Sequence, residues 1–527
     1  MKQSIIPFSV IAISLASSMS CSAADKEKLV RPNIIFIMSD DHASQAISAY
    51  GHGLNKTPNI DRIAHEGMLF RNCFVTNSIC GPSRACILTG KFSNKNGFYD
   101  NQASTIFDGA QQTFPKLLHA AGYQTAIIGK WHLGSTPTGF DYYSVHVGQG
   151  TYYSPEFIEL EGKKTYEGAY ATDLTLENSI KWLDGTDKSK PFCLMMHFKA
   201  PHRNWVPAPN KMNMYEDVTF PVPSNFFDDY EGRPAAKAQL MSIDKDMTLS
   251  WDLKMIGAES NLNEVNSDKG LDSELKRMTP NQRAVFDKVY IPLKDDFVKR
   301  NLSGKELALF KYQRYMRDYM KCISSVDDNV GKMIDYLKNN GLWENTIVVY
   351  TSDQGFYLGE HGWFDKRFMY EESFHTPLII SYPKMIKKGM ESKSLVQNID
   401  FAATLLDLAD LKVPSDIQGE SLKPILNGTK KNVRDALYYH YYEYPRPHGV
   451  KRHYGIRTER YKLIHFYDDI DEWELFDLKT DPNEMKNQIN NPLYAKVKQD
   501  MILRLKKLQI KYDDIHPTEG YPVKERK

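Results

Sequence analysis

Cysteine is scarce in this sequence. Its 527 residues include six cysteines: Cys21, Cys73, Cys80, Cys86, Cys193 and Cys322. That number is too small for the disulfide framework that holds small secreted domains together, so we expect one structural bridge at most. A chain of this length depends instead on a large core, which its 41% of hydrophobic residues can supply.

Net charge is nearly absent as well. The sequence has 67 Lys and Arg residues against 66 Asp and Glu residues, which gives a formal net charge of +1. This balance excludes a general binder of nucleic acid or of anionic membrane surfaces, because neither polyanion would be attracted by the chain as a whole. An anionic ligand would need a local basic pocket.

Long hydrophobic runs are confined to the N-terminus. The apolar stretch from Ile5 to Leu15, followed by small residues, predicts a signal peptide over residues 1–24 and hence an exported, periplasmic protein. Cys21 could instead carry a lipid anchor, but residues 18–20 lack the usual leucine, which favours ordinary cleavage. No later stretch is apolar for long enough to cross a bilayer.

The rest of the sequence predicts an α/β fold. Short apolar runs that end in polar or glycine-containing segments are typical of buried parallel strands: Asn33 to Met38, Thr125 to Gly129, Phe192 to Phe198, Thr346 to Tyr350 and Leu378 to Ser381. Helical stretches lie between them, at Asn59 to Gly67, Pro115 to Ala121 and Tyr315 to Asn339. We therefore expect helices on both faces of a sheet, with ligands at the carboxyl ends of its strands.

Two segments depart from this alternation. Residues 203–301 are rich in proline and tyrosine and then in charge, which predicts an insertion that shapes the ligand pocket of a catalytic domain over residues 25–410. Residues 411–527 predict a small antiparallel subdomain. Its predicted elements are the strands Ala436 to Tyr442, Gly455 to Phe466 and Trp473 to Asp477, and an amphipathic helix from Ala495 to Ile510.

The most informative run of residues is Cys80-Gly81-Pro82-Ser83-Arg84-Ala85-Cys86-Ile87-Leu88-Thr89-Gly90-Lys91. Pro82 suits the first turn of a helix, so Cys80 is predicted at the positive end of that helix, where an anion would be held. Arg84 lies four residues on and shares its face. Taken alone, a cysteine is more often a small buried hydrophobe.

Two predicted strands end alike, in Ser39-Asp40-Asp41 and in Ser352-Asp353-Gln354. Carboxylates at the end of a buried strand repel one another unless a cation lies between them, and oxygen ligands favour a hard ion such as Ca²⁺ or Mg²⁺. Asp40, Asp41, Asp353 and Gln354 are therefore predicted metal ligands. The alternative is that each Ser-Asp pair caps a helix, but two such pairs beside a suitable nucleophile favour the metal.

Four basic residues follow other predicted strands. Lys130 and His132 lie two positions apart, so in an extended segment both would face one side. His202 follows Pro201 at the end of a strand, and Lys366 comes shortly after the second acidic segment. Each of them alone would more often be a structural or solvated residue. Because they occur together with the cysteine motif and the acidic strand ends, they are candidates for catalysis.

Together and in this order, these motifs resemble those of the type I, formylglycine-dependent sulfatases of the alkaline-phosphatase-like superfamily, across most of residues 32–380. The resemblance implies a large mixed, mostly parallel sheet flanked by helices, with a smaller C-terminal antiparallel sheet. It implies that a separate maturase oxidises Cys80 to formylglycine (3-oxoalanine). One Ca²⁺ per chain would be bound by Asp40, Asp41, residue 80, Asp353 and Gln354, although Asn is common in the family at the last position.

In the family pattern, the hydrate of formylglycine is the nucleophile. Arg84, Lys130 and Lys366 match residues that stabilise the hydrate and the sulfate, while His132 and His202 match the base and the acid. The implied mechanism is in-line attack by an ionised hydrate oxygen on sulfur, with His202 protonating the departing sugar oxygen. His132 then takes the proton of the second hydroxyl, which regenerates the aldehyde and expels sulfate.

Three further segments are similar to bacterial sulfatases that act on the 6-O-sulfate of N-acetylglucosamine: residues 226–234, 363–373 and 441–450. This similarity implies an exo-acting enzyme that desulfates a sugar at the non-reducing end of heparan or mucin fragments. His448, Arg452 and His453 would contact that sugar or its anionic neighbours. The alternative for these three residues is ordinary packing between the subdomains.

Three other functions fit part of the pattern. One is a sulfatase for a different sulfated sugar. A phosphatase or phosphonate hydrolase of the same superfamily would share the fold and even the formylglycine, but such enzymes often use two metals in a differently built site. A noncatalytic glycan-binding protein would lack at least one catalytic group, and none is missing here.

Overall fold

A computed structural model of the protein describes Met1 and residues 31–102, 104–255, 262–445 and 447–518. The predicted signal peptide, apart from Met1, and Cys21 lie outside the described residues. No described helix has both the length and the apolar composition to cross a bilayer. The five cysteines in the described part are all buried and free, so none of them forms a disulfide there.

The strands of the described residues form three sheets. In chain order they are β1 (Asn33–Ser39), β2 (Met68–Phe70), β3 (Cys73–Phe74), β4 (Gln124–Gly129), β5 (Tyr142–His146), β6 (Glu156–Glu159), β7 (Gly162–Thr165), β8 (Phe192–His197), β9 (Thr346–Ser352), β10 (Leu378–Ser381), β11 (Met390–Ser392), β12 (Val396–Gln397), β13 (Ala436–Tyr441), β14 (His453–Thr458), β15 (Tyr461–Phe466) and β16 (Glu472–Asp477). The largest sheet has the order β11-β2-β10-β9-β1-β8-β4-β5-β6-β7, β3 pairs with β12, and β13 to β16 form an antiparallel sheet.

The middle of the large sheet is parallel, and this confirms the predicted fold class. β9, β1, β8, β4 and β5 all run in one direction, with Phe36 of β1 opposite Val349 on one side and Met195 on the other. One predicted parallel strand is wrong, because β10 lies antiparallel to β9. The connection between them contains no helix long enough for a crossover, so the chain returns in the opposite direction.

Helices cover both faces of this sheet, and one packs on the C-terminal sheet. In chain order, the helices of the described residues are α1 (Pro58–His65), α2 (Cys80–Thr89), α3 (Ser93–Asn96), α4 (Phe114–Ala120), α5 (Ala171–Asp184), α6 (Pro234–Lys237), α7 (Leu262–Leu275), α8 (Pro280–Arg300), α9 (Gly304–Asn339), α10 (Glu371–Phe374), α11 (Asp400–Leu408), α12 (Lys423–Leu426) and α13 (Ala495–Lys511). Short 3₁₀ turns lie at Ser44–Ala46, Ser48–Tyr50, Pro209–Lys211, Trp343–Asn345, Glu360–Gly362 and Pro492–Tyr494.

Alternate residues of β1 contribute to two separate cores. Ile35 and Ile37 join the core that includes Tyr319 of α9, while Phe36 joins the core that includes Leu118 of α4. Side chains alternate between the faces of a strand, so a central strand must be apolar at every position when helices cover both faces. This explains why β1 is a continuous apolar run rather than an alternating one.

The C-terminal sheet has one strand more than predicted. The run from Gly455 to Phe466, predicted as one strand, contains most of β14 and all of β15, which are joined by a tight turn in which the Tyr461 amide donates to the Thr458 hydroxyl. This sheet packs against α13 on one side and against the residues around Phe368 on the other. The residues from Pro32 onward cluster as one compact unit, and the boundary between residues 410 and 411 stays a prediction.

The segment over residues 203–301 contributes α6, α7 and α8 but no strand to the sheet among its described residues. It begins directly after the carboxyl end of β8, and its Trp205 is fully buried against Tyr315 of α9 and Phe356. Its Leu240 amide donates to the carbonyl of His448, in the C-terminal part of the chain. The segment therefore lies where it can wall the carboxyl edge of the sheet.

Candidate active site

Three acidic side chains meet at the carboxyl edge of the parallel strands. Asp40 and Asp41 follow β1, and Asp353 follows β9, the strand beside it. One carboxylate oxygen of each residue lies within 4.8 Å of the other two, and all three side chains are fully buried. The structure thus brings together the three carboxylates that the sequence predicted as metal ligands.

Gln354 lies beside these carboxylates and keeps an acceptor free. Its side-chain nitrogen donates to Asp41 Oδ1, while its Oε1 is buried and has no hydrogen-bond partner in the described part of the chain. A buried acceptor without a donor is costly, and an amide oxygen is a ligand that hard cations accept. The residues present therefore fit a Ca²⁺-type ion held entirely by oxygen.

Each carboxylate also has its own cation. The pairs are Asp40 with Lys130, Asp41 with Lys366, and Asp353 with Arg84. Arg84 Nε and Nη2 both donate to Asp353 Oδ2, at 3.1 and 2.8 Å, and its Nη1 donates to the carbonyl of Lys130 at 2.8 Å. These charges cancel in pairs, so a divalent ion would leave the pocket positive and ready for an anion.

Burial and these neighbours set the protonation of the site. Burial raises the pKa of Asp41 to about 6, although Lys366 acts in the opposite direction. Burial also acts to raise the pKa of Asp353, but Arg84 and Lys130 outweigh it and hold that pKa below its usual value. The pKa of Lys366 is raised, because Asp365 and Asp41 together outweigh the effect of burial. Lys366 is therefore charged at neutral pH.

Cys80 is the first residue of α2, at the end predicted from Pro82. Its Sγ lies 3.5 Å from Asp40 Oδ1, and burial raises the pKa of the thiol to about 12. The adjacent Gly81 admits no side chain, since a Cβ there would lie 2.6 Å from Asn101 and from Phe98. A neutral thiol is a poor nucleophile and a poor ligand for a hard cation, so an oxygen-bearing group at position 80 would suit this site better.

His132 reaches the site by a different backbone path from the predicted one. Its φ of 55° is left-handed, so the chain turns after β4 instead of continuing as an extended segment. Its Nδ1 is buried without a hydrogen-bond partner in the described structure. Burial, followed by the nearby charges of Lys130 and Arg84, holds the pKa of His132 well below its usual value. The imidazole is therefore neutral and able to accept a proton.

His202 faces the same space from the end of β8. Its Nδ1 lies 2.6 Å from the carbonyl oxygen of Arg203 and donates to it, which leaves Nε2 directed at the site, 3.8 Å from Asp41 Oδ2. One ring nitrogen of His202 lies within 4.8 Å of ligand atoms of both Asp40 and Cys80. The predicted acid and the predicted nucleophile position are thus neighbours.

A second polar cluster, of which the sequence predicted only His448, flanks Lys366. Asp365 pairs with Arg367, and Arg367 Nε lies 3.4 Å from Glu443 Oε2. His448 Nε2 lies 3.3 Å from Asp365 Oδ2. The sequence does carry a signal for this cluster, because Asp365-Lys366-Arg367 puts three charges in a row between apolar residues. We call Asp365, Arg367, Glu443 and His448 the flanking cluster.

The three residues predicted to contact a sugar have different surroundings. His448 belongs to the flanking cluster, and its Nδ1 donates to the Leu240 carbonyl at 2.8 Å. Arg452 donates to the Tyr442 carbonyl and to Asp468. His453 is fully buried, with Nδ1 on the Lys451 carbonyl and Nε2 accepting from the Met369 amide. The contacts of His453 match the packing alternative, because neither ring nitrogen is free for a ligand.

Comparison with known proteins agrees with this geometry. The family model described as Sulfatase matches residues 32–411, and the one described as N-sulphoglucosamine sulphohydrolase, C-terminal, matches residues 359–511. The chain is 54% identical over 519 residues to the N-acetylglucosamine-6-O-sulfatase of Bacteroides thetaiotaomicron, which covers 97% of this chain and 92% of that protein.

Solved structures share the architecture. One, a protein in complex with its substrate D-glucosamine-2-N,6-O-disulfate, superposes with a TM-score of 0.89 and 53% identity, over 93% of this chain and all of that one. The phosphonate monoester hydrolase of Agrobacterium radiobacter superposes with a TM-score of 0.64 at 20% identity, over 92% of this chain and 96% of that one. At that identity the likeness is one of fold alone.

Proposed function

Because the chain belongs to the sulfatase family, we propose that it hydrolyses the 6-O-sulfate of glucosamine residues, N-acetylated or N-sulfated, at the non-reducing end of glycan fragments. One observation carries the chemistry: three buried carboxylates, each with its own cation, surround position 80 at the N-terminus of α2. The sugar comes from relatives, one named as an N-acetylglucosamine-6-O-sulfatase and one solved with a 6-O-sulfated glucosamine.

The proposal includes conversion of Cys80 to formylglycine by a separate maturase. The hydrate of that aldehyde would supply one oxygen to attack sulfur and a second hydroxyl whose proton can be removed to release sulfate. The high pKa of the Cys80 thiol supports the proposal, since the unmodified side chain stays protonated at neutral pH. Its position at the start of α2 places it against the positive end of the helix dipole.

We assign Asp40, Asp41, Asp353 and Gln354, together with residue 80, to one Ca²⁺. The free Oε1 of Gln354 supports this ligand set. When bound, the ion would polarise the oxygens around it and neutralise charge as it develops. The charges then match: a divalent ion leaves two positive charges in the pocket, and one sulfate ester and one ionised hydrate oxygen bring two negative ones.

The remaining residues hold the anion and move protons. Arg84, Lys130 and Lys366 are cations that cannot leave the pocket, because each is fixed on a buried carboxylate. His202 would protonate the departing sugar oxygen from Nε2, and a bound sulfate favours that proton by its charge. His132, neutral and with an unpartnered Nδ1, would act as the base that takes the hydrate proton.

The flanking cluster would bind the sugar. Asp365 and Arg367 adjoin Lys366 in sequence, so hydroxyl groups of the sugar can meet Asp365, Arg367 and His448 while its sulfate meets Lys366. The insertion holds His448 in place, because the carbonyl of its Leu240 accepts a hydrogen bond from His448 Nδ1. A pocket closed in this way by the insertion and the C-terminal sheet would accept a chain end rather than the interior of a polymer.

The residues 1–24 support export to the periplasm, with a lipid anchor on Cys21 as the alternative. Exported location suits an enzyme that meets heparan or mucin fragments after they have been taken from outside the cell. Mass spectrometry of the mature protein would distinguish the two, because cleavage after Ala24 gives an unmodified N-terminus whereas a lipid on Cys21 adds the mass of its acyl chains.

The test is sulfate release from a panel of singly sulfated sugars by protein whose residue 80 is shown by mass spectrometry to be formylglycine. The panel contains N-acetylglucosamine 6-sulfate, galactose 6-sulfate, N-acetylgalactosamine sulfates, a uronate 2-sulfate and a phosphate monoester. We expect release from N-acetylglucosamine 6-sulfate and none from Cys80→Ala. Release only from another sugar would overturn the substrate, and faster turnover of the phosphate ester would overturn the reaction.

A further inference from the structure

Asp41 has an unusual backbone conformation for a residue with a side chain. Its φ of 66° lies in the left-handed region, which aspartate adopts more readily than most residues but still at a cost in free energy. A residue stays in such a conformation only where the surrounding structure fixes it. Asp41 is also a proposed metal ligand, so whatever fixes its backbone also sets the direction of its carboxylate.

Side chains bind the backbone directly after β1. The amide of Asp41 donates to Asp353 Oδ1 at 3.1 Å, and the amide of His42 donates to Ser352 Oγ at 2.8 Å. Both acceptors lie at or just after the end of β9, the neighbouring strand. Neither bond involves the Asp41 carbonyl or the Ala43 amide, and both residues are fully buried. Each of these two groups therefore needs a partner of its own.

One hydroxyl group binds both of them. Tyr319 Oη accepts from the Ala43 amide at 2.8 Å and donates to the Asp41 carbonyl oxygen at 2.7 Å. A phenol can do both at once, because it has one O–H donor and lone pairs that accept. The hydroxyl bridges the two peptide groups on either side of His42, and so it holds the chain in the turn that begins at Asp41.

Packing fixes Tyr319 in turn. It lies in the middle of α9 and is fully buried, and its ring stacks on that of Phe356 with a centroid distance of 5.6 Å and an interplanar angle of 6°. The centre of the Phe356 ring also lies 5.6 Å from Lys366 Nζ, which pairs with Asp41 Oδ2 at 2.8 Å. Tyr319 is thus linked to Asp41 twice, directly at the backbone carbonyl and through Phe356 and Lys366 at the carboxylate.

We propose that Tyr319 is a positioning residue for the Ca²⁺ site, whose hydroxyl holds Asp41 in the left-handed conformation that turns its carboxylate toward the other ligands. The inference rests on the proposed function, from which it takes the metal ligands. Hydrogen bonds that orient metal ligands in advance favour binding, and their loss typically weakens metal affinity about 10- to 100-fold. Tyr319 acts through Asp41 and touches neither the metal nor the substrate.

The test compares Tyr319→Phe with Tyr312→Phe, a matched control on the same helix. Tyr312 lies about two turns earlier on α9, is 1% exposed, and donates its hydroxyl to the carbonyl of Pro221 in the insertion at 2.6 Å. Each variant loses one hydroxyl and keeps its aromatic ring. Both should lower Tm, and Tyr319→Phe should lower it more, because it leaves two backbone groups without their partner and the control leaves one.

Metal binding distinguishes positioning from a purely structural role. In protein whose residue 80 is formylglycine, calorimetry should give a Ca²⁺ Kd about 10- to 100-fold weaker for Tyr319→Phe than for the wild type, and an unchanged Kd for Tyr312→Phe. In Tyr319→Phe, kcat should recover as Ca²⁺ is raised to saturation, with KM for the sugar unchanged. A Kd for Tyr319→Phe equal to that of the control would overturn the proposal, and so would a loss of kcat that saturating Ca²⁺ leaves unrestored.

These outcomes are separate from those that test the proposed function. Calorimetry needs no turnover, so a wild type that binds Ca²⁺ but releases no sulfate would overturn the reaction, while the two Kd values would still decide the role of Tyr319. A wild type that binds no Ca²⁺ would overturn the metal assignment and this inference with it. Equal Ca²⁺ binding by the wild type and Tyr319→Phe would overturn this inference alone.

Discussion

Lys366 Nζ lies 2.8 Å from Asp41 Oδ2, although 325 residues separate the two in sequence. Both side chains are buried. Asp41 follows the end of β1, whereas Lys366 belongs to the loop that leaves β9, between Asp365 and Arg367 of the flanking cluster. This ion pair ties the proposed sulfate-binding charge and the proposed sugar-binding residues to the metal ligands.

Replacing Lys366 tests that connection. In Lys366→Met, the pKa of Asp41 should rise above its present value of about 6, because Lys366 is the group that lowers it. Metal binding should then weaken most below neutral pH, and kcat/KM should fall about 100-fold. Calorimetry of Ca²⁺ binding across pH measures the first effect. Lys388→Met, at a side chain 71% exposed, is the control, and equal behaviour of the two variants would contradict the assignment.

Removing the metal should cost both activity and stability. Chelation would leave three ionised carboxylates with only their three cations, so we expect activity to vanish and Tm to fall. At a free Ca²⁺ concentration of 100 times Kd the stabilisation is about 2.7 kcal/mol. Calorimetric unfolding with EGTA, and then with added Ca²⁺ or Mg²⁺, measures it. An enzyme as active and stable in EGTA as in Ca²⁺ would rule out the ion.

His202→Ala should distinguish substrates by their leaving groups. A sugar alkoxide needs a proton as it departs, whereas an activated aryl oxide does not, so kcat should fall about 10²- to 10⁴-fold more for the sugar sulfate. Initial rates on N-acetylglucosamine 6-sulfate and on an aryl sulfate provide the comparison. Losses of the same size on both substrates would remove His202 from the role of acid.

His448 and His453 should respond differently to the same change. His448→Ala removes a member of the flanking cluster, so it should raise KM for the sugar with little effect on Tm. His453→Ala empties a buried site ringed by Phe466 and Tyr441 and should cost about 2 kcal/mol or more of stability. The test measures KM and Tm for both variants under the same conditions. A large loss of Tm in His448→Ala together with a raised KM in a stable His453→Ala would refute both assignments.

The buried Glu474 predicts how stability depends on pH. Burial raises its pKa from 4.5 to about 8, against the hydrogen bond from the Tyr370 hydroxyl. Its contribution to stability is therefore complete below pH 4.5 and is lost as pH rises through 8. From this group we expect the Tm of the wild type to fall as pH rises from 4.5 to about 8, and not to fall further above that. Glu474→Gln should show a shallower fall, and parallel curves for the two proteins would contradict it.

Local patterns anticipated much of the fold. Continuous apolar runs identified β1, β4, β8 and β9, because a strand covered on both faces needs apolar residues at every position. Pro82 placed the start of α2. Strand direction could not be predicted in the same way. β10 has the composition of its parallel neighbours, but the connection that precedes it contains no helix long enough for a crossover, and the strand is antiparallel to β9. The turn between β14 and β15 was missed because Glu459-Arg460 lacks the usual glycine or asparagine.

The sequence by itself determined the chemical types at the proposed site: two acidic strand ends, a cysteine at a helix start, and the basic residues that follow other strands. Each is a local property that a few adjacent residues determine. Tertiary structure alone decided which charges pair, and that His453 is sealed in a core while His448 faces Asp365. Pairing and burial depend on distances between residues hundreds of positions apart, and the packing of the sheet, the insertion and the C-terminal strands sets those distances.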